Sequence, residues 1–303
     1  MAVYVVGDFL RETRLRKGYT QEEVSYGICT PASLSRIENG MQKPGRLILE
    51  KLFERLGTEN NLFDSFVSRE EMELYIEIQT LIRNVTDGDL KKIEEQIDIV
   101  EKLTQNTSEL ERQSLFWAKG TLAAQKYGNK SDAMEWLLKA IHITLPDFNG
   151  KNPLRNKLLT FDEITIINSI AVRYAENEDL LTAIQLNMWL KEYMENKIID
   201  GKMKTTKYPM VVYNLSCWFE DKECYKEELE MAEQGIELCV KYGNLALFPK
   251  LVLNKGSALA RLGDHENARK YLHQAVTIFE AMGRLEIVQQ VTAWCKKNCE
   301  FEI

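Results

Sequence analysis

Histidine, proline and glycine are scarce in this sequence, and each shortage limits the folds or the classes of protein that fit it. The 303 residues include 3 histidines, 6 prolines and 16 glycines. With so few helix-breaking residues, long helices can form along most of the chain. The histidines, His142, His265 and His273, have no nucleophilic serine or cysteine in a suitable context, and no glycine-rich phosphate loop is present. The sequence therefore favours a protein that is not an enzyme.

Cysteine pairs and long apolar runs are also missing. The six cysteines contain no Cys-x-x-Cys pair, and no histidine neighbours Cys295 or Cys299. A zinc site needs four ligands at tight spacing, so we expect buried thiols, no metal and no cofactor. No run of about 18 apolar residues occurs, and the apolar patch at the N-terminus is too short for a signal peptide. We therefore expect a cytoplasmic protein with no membrane partner.

Positive charge is concentrated at the start of the chain. The whole sequence has 39 Lys and Arg against 46 Asp and Glu, a net charge of −7. Residues 1–57 hold nine basic and seven acidic residues, whereas the rest holds 30 and 39. Positive regions attract polyanions and negative regions repel them. Any nucleic-acid partner is therefore expected to bind the first 57 residues.

Residues 7–57 have the pattern of several short helices. Thr20, with Glu23 three residues later, predicts a capped helix start, and Thr30 followed by Pro31 predicts another. Gly27 separates these two helices. The preceding segment is expected to place Phe9, Leu10 and Leu15 on one apolar face, and residues 46–57 to form a further amphipathic helix. These helices are expected to form a small helical domain.

The two capped helices fit a helix-turn-helix, whose second helix enters the major groove of DNA. Leu34 and Ile37 are three residues apart and are expected to face inward together. Arg36, on the outward face, can donate two hydrogen bonds to a guanine edge, and Ala32 can meet a thymine methyl. The residues predicted to contact DNA are Gln21, Thr30, Ala32, Ser33, Ser35, Arg36, Lys43 and Arg46. Composition alone is equally compatible with a packed helical bundle that does not bind DNA.

The order of these features resembles a known family. The stretches YTQEEV and SRIENG, within residues 19–40, are similar to the Cro/phage-repressor helix-turn-helix, over about 50 residues. This resemblance implies a structural ion pair between Arg14 and Glu38. Pro31 and Ala32 stand where some members carry a glutamine that reads adenine. The base sequence that this protein reads is therefore left open.

Beyond residue 70, the pattern changes to paired helices with no strand alternation. Repeated hairpins at about 40-residue spacing predict a helical solenoid, whose units bury their faces against their neighbours. The predicted hairpins are 70–85 with 87–104, 108–127 with 130–143, 161–176 with 178–196, 208–219 with 223–242, and 247–262 with 264–282. A last helix, 284–298, is expected to cap the array.

The fifth hairpin resembles a tetratricopeptide repeat (TPR). Gly256, Ala268, Leu272 and Ala275 supply the small, small, large and small residues that let two antiparallel helices approach closely. The other hairpins match this pattern less well. The predicted fold is therefore all-α: a five-helix Cro-type domain in residues 1–64, then a right-handed α-solenoid of about five degenerate TPR hairpins with a capping helix in residues 65–303.

The whole chain in outline resembles the RRNPP (Rgg/PlcR-like) family of peptide-sensing transcription regulators of Gram-positive bacteria. This resemblance implies a homodimer that binds double-stranded DNA, with a palindromic operator expected. It also implies control by a short linear signalling peptide of the quorum-sensing type, bound in the concave groove of the repeats. The alternative is a DNA-binding protein whose repeats dock another protein rather than a peptide.

Three asparagines in the repeats are candidates for peptide contacts. Asn168, Asn214 and Asn254 each lie midway along the first helix of a hairpin, 46 and 40 residues apart in turn. An asparagine side chain can donate to and accept from a peptide backbone, whatever the side chains of the ligand. Tyr174 and Tyr213 are near the same helices and are candidates for apolar pockets. Hydrogen bonds between neighbouring helices are the alternative role for these asparagines.

Overall fold

The computed structural model describes residues 6–58, 68–105, 107–154, 157–197 and 203–299, and these ranges form fifteen α-helices and no strand. The predicted all-α class is therefore confirmed. The predicted domain boundary between residues 64 and 65 lies outside the described residues. The fifth helix of the N-terminal domain, the number of repeats and the handedness of the array stay predictions.

Four helices occupy residues 6–58, namely α1 (Val6–Arg16), α2 (Gln21–Ser25), α3 (Pro31–Glu38) and α4 (Arg46–Arg55). The Thr20 side chain accepts from the backbone N–H of Glu23, whose carboxylate in turn accepts from the N–H of Thr20. The Thr30 hydroxyl accepts from the N–H of Ser33, with Pro31 at the first helical position. Both predicted caps are confirmed.

The core of these four helices contains most of the predicted apolar residues. Leu10, Val24, Leu34 and Ile37 are buried in one cluster. Leu15 does not join them: its side chain is 57% exposed, so its predicted place on the apolar face is wrong. Leu15 is five residues beyond Leu10, or about 140° around the helix, which explains its outward position.

Helix α4 has no solvent-exposed residue, which differs from the expected amphipathic helix. Its apolar side chains Leu49, Leu52 and Phe53 pack in the N-terminal core. Its charged side chains Lys51 and Arg55 are equally buried, although they point away from that core. Other parts of the protein therefore cover both the apolar and the polar face of α4. The charged side chains of the polar face need partners inside the protein.

The remaining helices follow in the predicted order, with ends shifted by a few residues. They are α5 (Arg69–Asp87), α6 (Leu90–Leu103), α7 (Gln113–Gln125), α8 (Lys130–His142), α9 (Phe161–Glu176), α10 (Leu180–Asn196), α11 (Tyr208–Asp221), α12 (Tyr225–Tyr242), α13 (Phe248–Arg261), α14 (His265–Ala281) and α15 (Leu285–Asn298). A 3₁₀ turn, Glu109–Arg112, precedes α7, and a π-helical turn, Met203–Lys207, precedes α11.

Small residues allow close helix packing inside the hairpins. A Cβ atom added to Gly256 would lie 2.6 Å from Cγ of Leu272, so only glycine fits between α13 and α14. Ala268 is completely buried in the same interface. Gly256 and Ala268 are 12 residues apart. In the hairpin of α11 and α12, Ser216 and Glu228 have the same spacing and occupy the corresponding positions. A carboxyl group therefore occupies a position that holds a small apolar residue in the next hairpin.

The chain divides into two compact units. The first comprises residues 1–186 with 197–200, and the second comprises residues 187–196 with 201–303. The N-terminal helices, the first two hairpins and α9 therefore share one unit. Within the described ranges, no helix combines the length and apolar character that crossing a membrane requires.

Candidate nucleic-acid interface and its contacts with the helical repeats

Helix α3 presents the outward face that its sequence predicts. Leu34 and Ile37 are 0% and 2% exposed and fix the helix in the core. Ala32 and Arg36 are exposed, and Ser33 and Ser35 are half-buried beside them. The predicted inward and outward residues of α3 are therefore correctly separated, and their contact with DNA stays a prediction.

The first turn of α3 is ordered by its own side chains. The Thr30 hydroxyl lies 3.0 Å from the Ser33 hydroxyl, and Nη2 of Arg36 lies 3.4 Å from the same Ser33 oxygen. These contacts hold Arg36 along the helix with its charge in solvent. A guanidinium that is already oriented loses less conformational entropy when it binds a base edge.

Arg14 and Glu38 form the ion pair that the family resemblance implies. Nε and Nη2 of Arg14 donate to the two oxygens of Glu38 at 2.7 and 2.8 Å, and both residues are buried. Nε2 of Gln21 donates to the same carboxylate at 2.7 Å. The Gln21 side chain is thus held inside the domain, so a phosphate contact by Gln21 would use its backbone N–H.

The basic residues of the N-terminal region do not all reach the surface. Arg11, Arg16, Arg36 and Lys43 are exposed. Arg14, Arg46, Lys51 and Arg55 are buried, and Nζ of Lys17 donates to the carbonyl of Leu56 at 2.7 Å. The positive charge available to a polyanion is therefore smaller than the sequence count suggests, and it is confined to α1, α3 and the segment after α3.

Arg46 is not placed for the phosphate contact that the sequence predicts. It is 8% exposed, and its guanidinium lies 5.2 Å from the ring centroid of Tyr75 on α5. The N–H of Arg46 donates to the carboxylate of Glu71 on the same helix. Arg46 begins α4, where packing against α5 buries the side chain. Lys43, three residues earlier, stays exposed.

The polar face of α4 contacts the first turn of α9. Nη2 of Arg55 donates to Oε1 of Glu163 at 2.6 Å, and both side chains have 0% exposure. Nζ of Lys51 donates to Asp162, and Oε2 of Glu54 accepts from the backbone N–H of Phe161 at 3.1 Å. Charge-assisted hydrogen bonds therefore connect the N-terminal helices to the later helical hairpins.

Burial and neighbouring charges have opposite effects on the pKa values of the side chains in the α4–α9 contact. Burial alone would lower the pKa of Lys51, but the carboxylates of Asp162, Glu54 and Glu50 raise it above its usual value. Burial raises the pKa of Glu54 to about 8, and Lys51 only partly offsets this effect. Three carboxyl groups thus surround one ammonium group, and the raised pKa keeps Glu54 largely protonated at neutral pH.

A second contact joins the turn between α2 and α3 to the loop after α8. The Tyr26 hydroxyl donates to Asp147, and Nζ of Lys157 lies 3.4 Å from the Tyr26 ring centroid. Gly27 has φ of +69°, and an added Cβ would lie 2.0 Å from the carbonyl oxygen of Thr144. Glycine is thus required at this turn both by its left-handed backbone and by the close approach of the loop.

The candidate peptide-contacting residues of the first unit are Asn168 and Tyr174, both on α9. Asn168 is 5% exposed, and Tyr174 is half-buried with Nζ of Lys151 5.7 Å from its ring centroid. Burial raises the pKa of Tyr174. Asn168 lies five residues after Glu163, so the same helix carries a candidate peptide contact and the contact with α4.

The second unit contains Tyr213, Asn214 and Asn254. Nδ2 of Asn254 lies 3.2 Å from Oγ of Ser216 and 3.4 Å from Sγ of Cys217, so both of its N–H groups have acceptors within the protein. Any peptide contact by Asn254 would therefore use Oδ1. Asn214 and Tyr213 are half-buried, and burial raises the pKa of Tyr213. Peptide binding by these residues stays a prediction.

Sequence reasoning missed a cleft between α7 and α9. Its lining residues are Ser114 and Trp117 on α7, and Asp162, Thr165 and Ile166 on α9. The Trp117 indole N–H donates to Ser169 at 3.0 Å, which fixes the ring. The capping pattern Thr160–Glu163 locates the start of α9 in the sequence, but no local pattern shows that Trp117 lies beside it.

Comparison with known proteins agrees with this arrangement. Residues 82–299 match the family model described as the RNPP family C-terminal domain, and residues 10–59 match a helix-turn-helix model. A Bacillus subtilis protein, the uncharacterized HTH-type transcriptional regulator YqaF, is 38% identical over 63 residues, which cover 20% of this chain and 83% of the relative.

Two crystal structures share the fold at low sequence identity. Bacillus thuringiensis PlcR in complex with the peptide PapR7 and DNA is 19% identical, with a TM-score of 0.62 over 95% of this chain and 98% of that chain. The apo form of PlcR is 17% identical, with a TM-score of 0.59 over 94% and 97%. The match to the RNPP C-terminal domain covers more than half of the sequence, and the chain therefore belongs to the RNPP family, with an N-terminal helix-turn-helix of the kind found in transcriptional regulators.

Proposed function

We propose that this protein is a sequence-specific DNA-binding transcription regulator controlled by a short signalling peptide that binds its C-terminal repeats. The observation that carries the proposal is the exposed outer face of α3, fixed from behind by Leu34 and Ile37, in a chain of the RNPP family. The related fold of PlcR, solved with a peptide and DNA, supports the same pairing of ligands.

The proposed reading of DNA follows from the chemistry of α3. Arg36 donates two hydrogen bonds to a guanine, and Ala32 meets a thymine methyl, while the hydroxyls of Thr30, Ser33 and Ser35 contact base edges or backbone. Lys43 binds a phosphate. The regulator acts as a cytoplasmic homodimer on a palindromic operator, because two α3 helices related by a twofold axis read two inverted half-sites. It performs no catalytic step.

Peptide control is proposed as a population shift. The peptide binds one arrangement of the DNA-binding helices more tightly than another, and the ratio of the two affinities sets the size of the response. Asn168, Asn214 and Asn254 are the proposed backbone contacts, with Tyr174 and Tyr213 beside them. The α4–α9 contact gives such a shift a physical route, because α9 also carries Asn168.

A direct test selects operator DNA from a random pool with the full-length protein and measures its affinity with and without peptides. Short hydrophobic peptides encoded next to the gene are the first ligands to test. The proposal expects selection of an inverted repeat and a change of at least tenfold in affinity, or about 1.4 kcal/mol, with one peptide. Absence of any selected sequence would refute it. An operator affinity unchanged across those peptides would refute peptide control.

A further inference from the structure

Helix α5 has an outer face that is exposed to solvent along most of its length. The inner side of the helix packs on α6 and α7 through Leu74, Ile78 and Leu81, which are buried. Met72 and Ile76 lie one turn apart on the opposite side and are 46% and 47% exposed. Single apolar residues are common on protein surfaces, so these two do not by themselves define a binding surface.

Charged residues continue this outer face toward both ends of the helix. Residues seven apart lie on almost the same side of an α-helix, because successive residues are 100° apart. Two rows with this spacing flank Met72 on the outer face: Arg69, Ile76 and Arg83, and Glu73, Thr80 and Asp87. All six are exposed except Thr80, which is half-buried. In the part of the chain that the structure describes, none of the four charged side chains forms an ion pair.

The order of charges along the outer face is complementary to itself in the antiparallel direction. Arg69 and Asp87 are equally far from Ile78, and so are Glu73 and Arg83. When two copies of α5 lie antiparallel with Ile78 of each at the centre, Arg69 is therefore opposite Asp87, and Glu73 is opposite Arg83. Twofold symmetry repeats both contacts, so every charged pair joins opposite signs. A parallel pair would place each charge beside its own copy, and like charges would repel.

The two end charges suit a neighbouring antiparallel helix better than they suit their own helix. Arg69 is the first residue of α5 and Asp87 is the last. A helix is partially positive at its N-terminus and partially negative at its C-terminus, so both side chains oppose the dipole of α5. In the antiparallel pair, Arg69 lies beside the C-terminal end of the second copy and Asp87 beside its N-terminal end. Both charges then have a favourable contact with a helix end.

We propose that the outer face of α5 is a twofold interface on which a second copy of this chain packs antiparallel, with Ile76 next to the twofold axis and Met72 beside it. This inference rests on the proposed homodimer and assigns a surface to it. A helix of 19 residues is about 28 Å long, so the interface is at the small end of the range for stable complexes. The dimer should therefore form at micromolar concentrations, and operator DNA that binds both copies should strengthen it.

The first test measures the dissociation constant of the full-length dimer by sedimentation equilibrium, without DNA or peptide. Ile76→Glu places two carboxylates beside the twofold axis and should raise this constant at least about tenfold, because like charges across an interface repel. Ile99→Glu is the matched control, because Ile99 is 43% exposed but lies on α6. This control should keep the dissociation constant of the wild type.

Charge reversal tests the antiparallel register. Glu73→Arg and Arg83→Glu each replace two attractive contacts of the homodimer by two repulsive ones, so each should weaken the dimer about tenfold. An equimolar mixture of the two variants should form a mixed dimer of wild-type affinity, because both pairs then join opposite charges again. Each chain in the mixture keeps its own substitution, so this recovery cannot come from repaired folding.

The proposal is overturned if the wild-type chain stays monomeric at its highest soluble concentration, or if Ile76→Glu leaves the dimer intact. A mixture of Glu73→Arg and Arg83→Glu that binds no more tightly than either variant alone overturns it as well. Selection of operator DNA is a separate measurement, so the regulator function can stand when α5 is not the interface. Conversely, a chain that selects no DNA refutes the proposed function and leaves the sedimentation results unchanged.

Discussion

Arg55 and Glu163 are 108 residues apart in the sequence and form an ion pair from which solvent is fully excluded, with Nη2 to Oε1 at 2.6 Å. Arg55 also donates to the carbonyl of Tyr26 at 3.0 Å, and Glu163 also accepts from the N–H of Thr160 at 2.6 Å. The pair therefore connects the turn of the helix-turn-helix, α4 and the cap of α9. A buried pair is costly to disrupt on one side only.

Removal of one partner should destabilise the first unit strongly. Arg55→Met leaves the Glu163 carboxylate buried without its cation, and we expect a loss of about 3–5 kcal/mol in the free energy of unfolding. Urea denaturation measures this loss. The exposed pair Lys91–Glu95 gives the control, because Glu95→Gln should change stability by less than about 0.5 kcal/mol. The double variant Arg55→Met/Glu163→Leu should be more stable than Arg55→Met, and a lower stability would contradict this account.

Arg36→Ala should reduce specific DNA binding without unfolding the domain. The exposed guanidinium is proposed to contact a guanine, so its loss should cost about 1–3 kcal/mol and relax the preference at one base position. Affinity for operators substituted at each position measures both effects. Lys297→Ala, an exposed cation on α15, is the matched control and should keep full affinity. An unchanged base preference in Arg36→Ala would remove this arginine from base readout.

Lys43 and Arg46 should differ in their effect on salt dependence. Lys43→Ala removes a proposed phosphate contact, so the slope of log affinity against log salt should become shallower by about 0.9. Arg46→Met removes a buried cation that packs on Tyr75, so it should lower the melting temperature and keep the slope. Titrations of DNA at several salt concentrations distinguish the two. A reduced slope in folded Arg46→Met would restore Arg46 as a phosphate contact.

Glu228 should make the stability of the second unit depend on pH. Its side chain is completely buried, neither carboxylate oxygen has a hydrogen-bond partner, and burial raises its pKa to about 8. The unfolded pKa is about 4.3. Because the folded pKa is the higher one, the contribution of Glu228 to stability is complete below pH of about 4.3 and is lost as the pH rises toward 8.

Glu228→Gln removes that titration. The variant should unfold at higher urea than the wild type at pH 8, and this advantage should shrink as the pH is lowered to 5. Glu227→Gln, a change at the exposed neighbouring residue, should follow the wild type at both pH values. An advantage of Glu228→Gln that is equal at pH 5 and pH 8 would show that Glu228 is not the titrating group.

Asn214 and Asn254 should differ as peptide contacts. Asn214→Ala should keep DNA binding without peptide and reduce the peptide response. Asn254→Ala leaves Ser216 and Cys217 without their donor, so it should also lower the stability of the second unit by about 0.5–1.5 kcal/mol. Operator affinity with and without peptide, together with urea denaturation, separates the two effects. A full peptide response in Asn214→Ala would remove this residue from the proposed site.

Much of the local structure could be predicted because its causes are close together in the sequence. Thr20 with Glu23 and Thr30 with Pro31 fixed the starts of α2 and α3, and the three-residue spacing of Leu34 and Ile37 fixed the inner face of α3. Leu15 is exposed and Arg46 is buried, and neither outcome follows from the residue type alone. The residue type shows whether a side chain is apolar or charged. Its angular position on the helix and the residues packed around it determine whether solvent reaches it.

The sequence by itself determined the helical class, the order of the helices, the starts of α2 and α3 and the segment that presents Arg36, because caps, glycines and apolar spacing act within a few residues. Only the tertiary structure decided which cations are available to DNA and how α4 is held. Lys51 and Arg55 count as positive charges in the sequence, yet Asp162 and Glu163 neutralise them from more than 100 residues away. Such pairing depends on packing between distant helices, and no local pattern contains it.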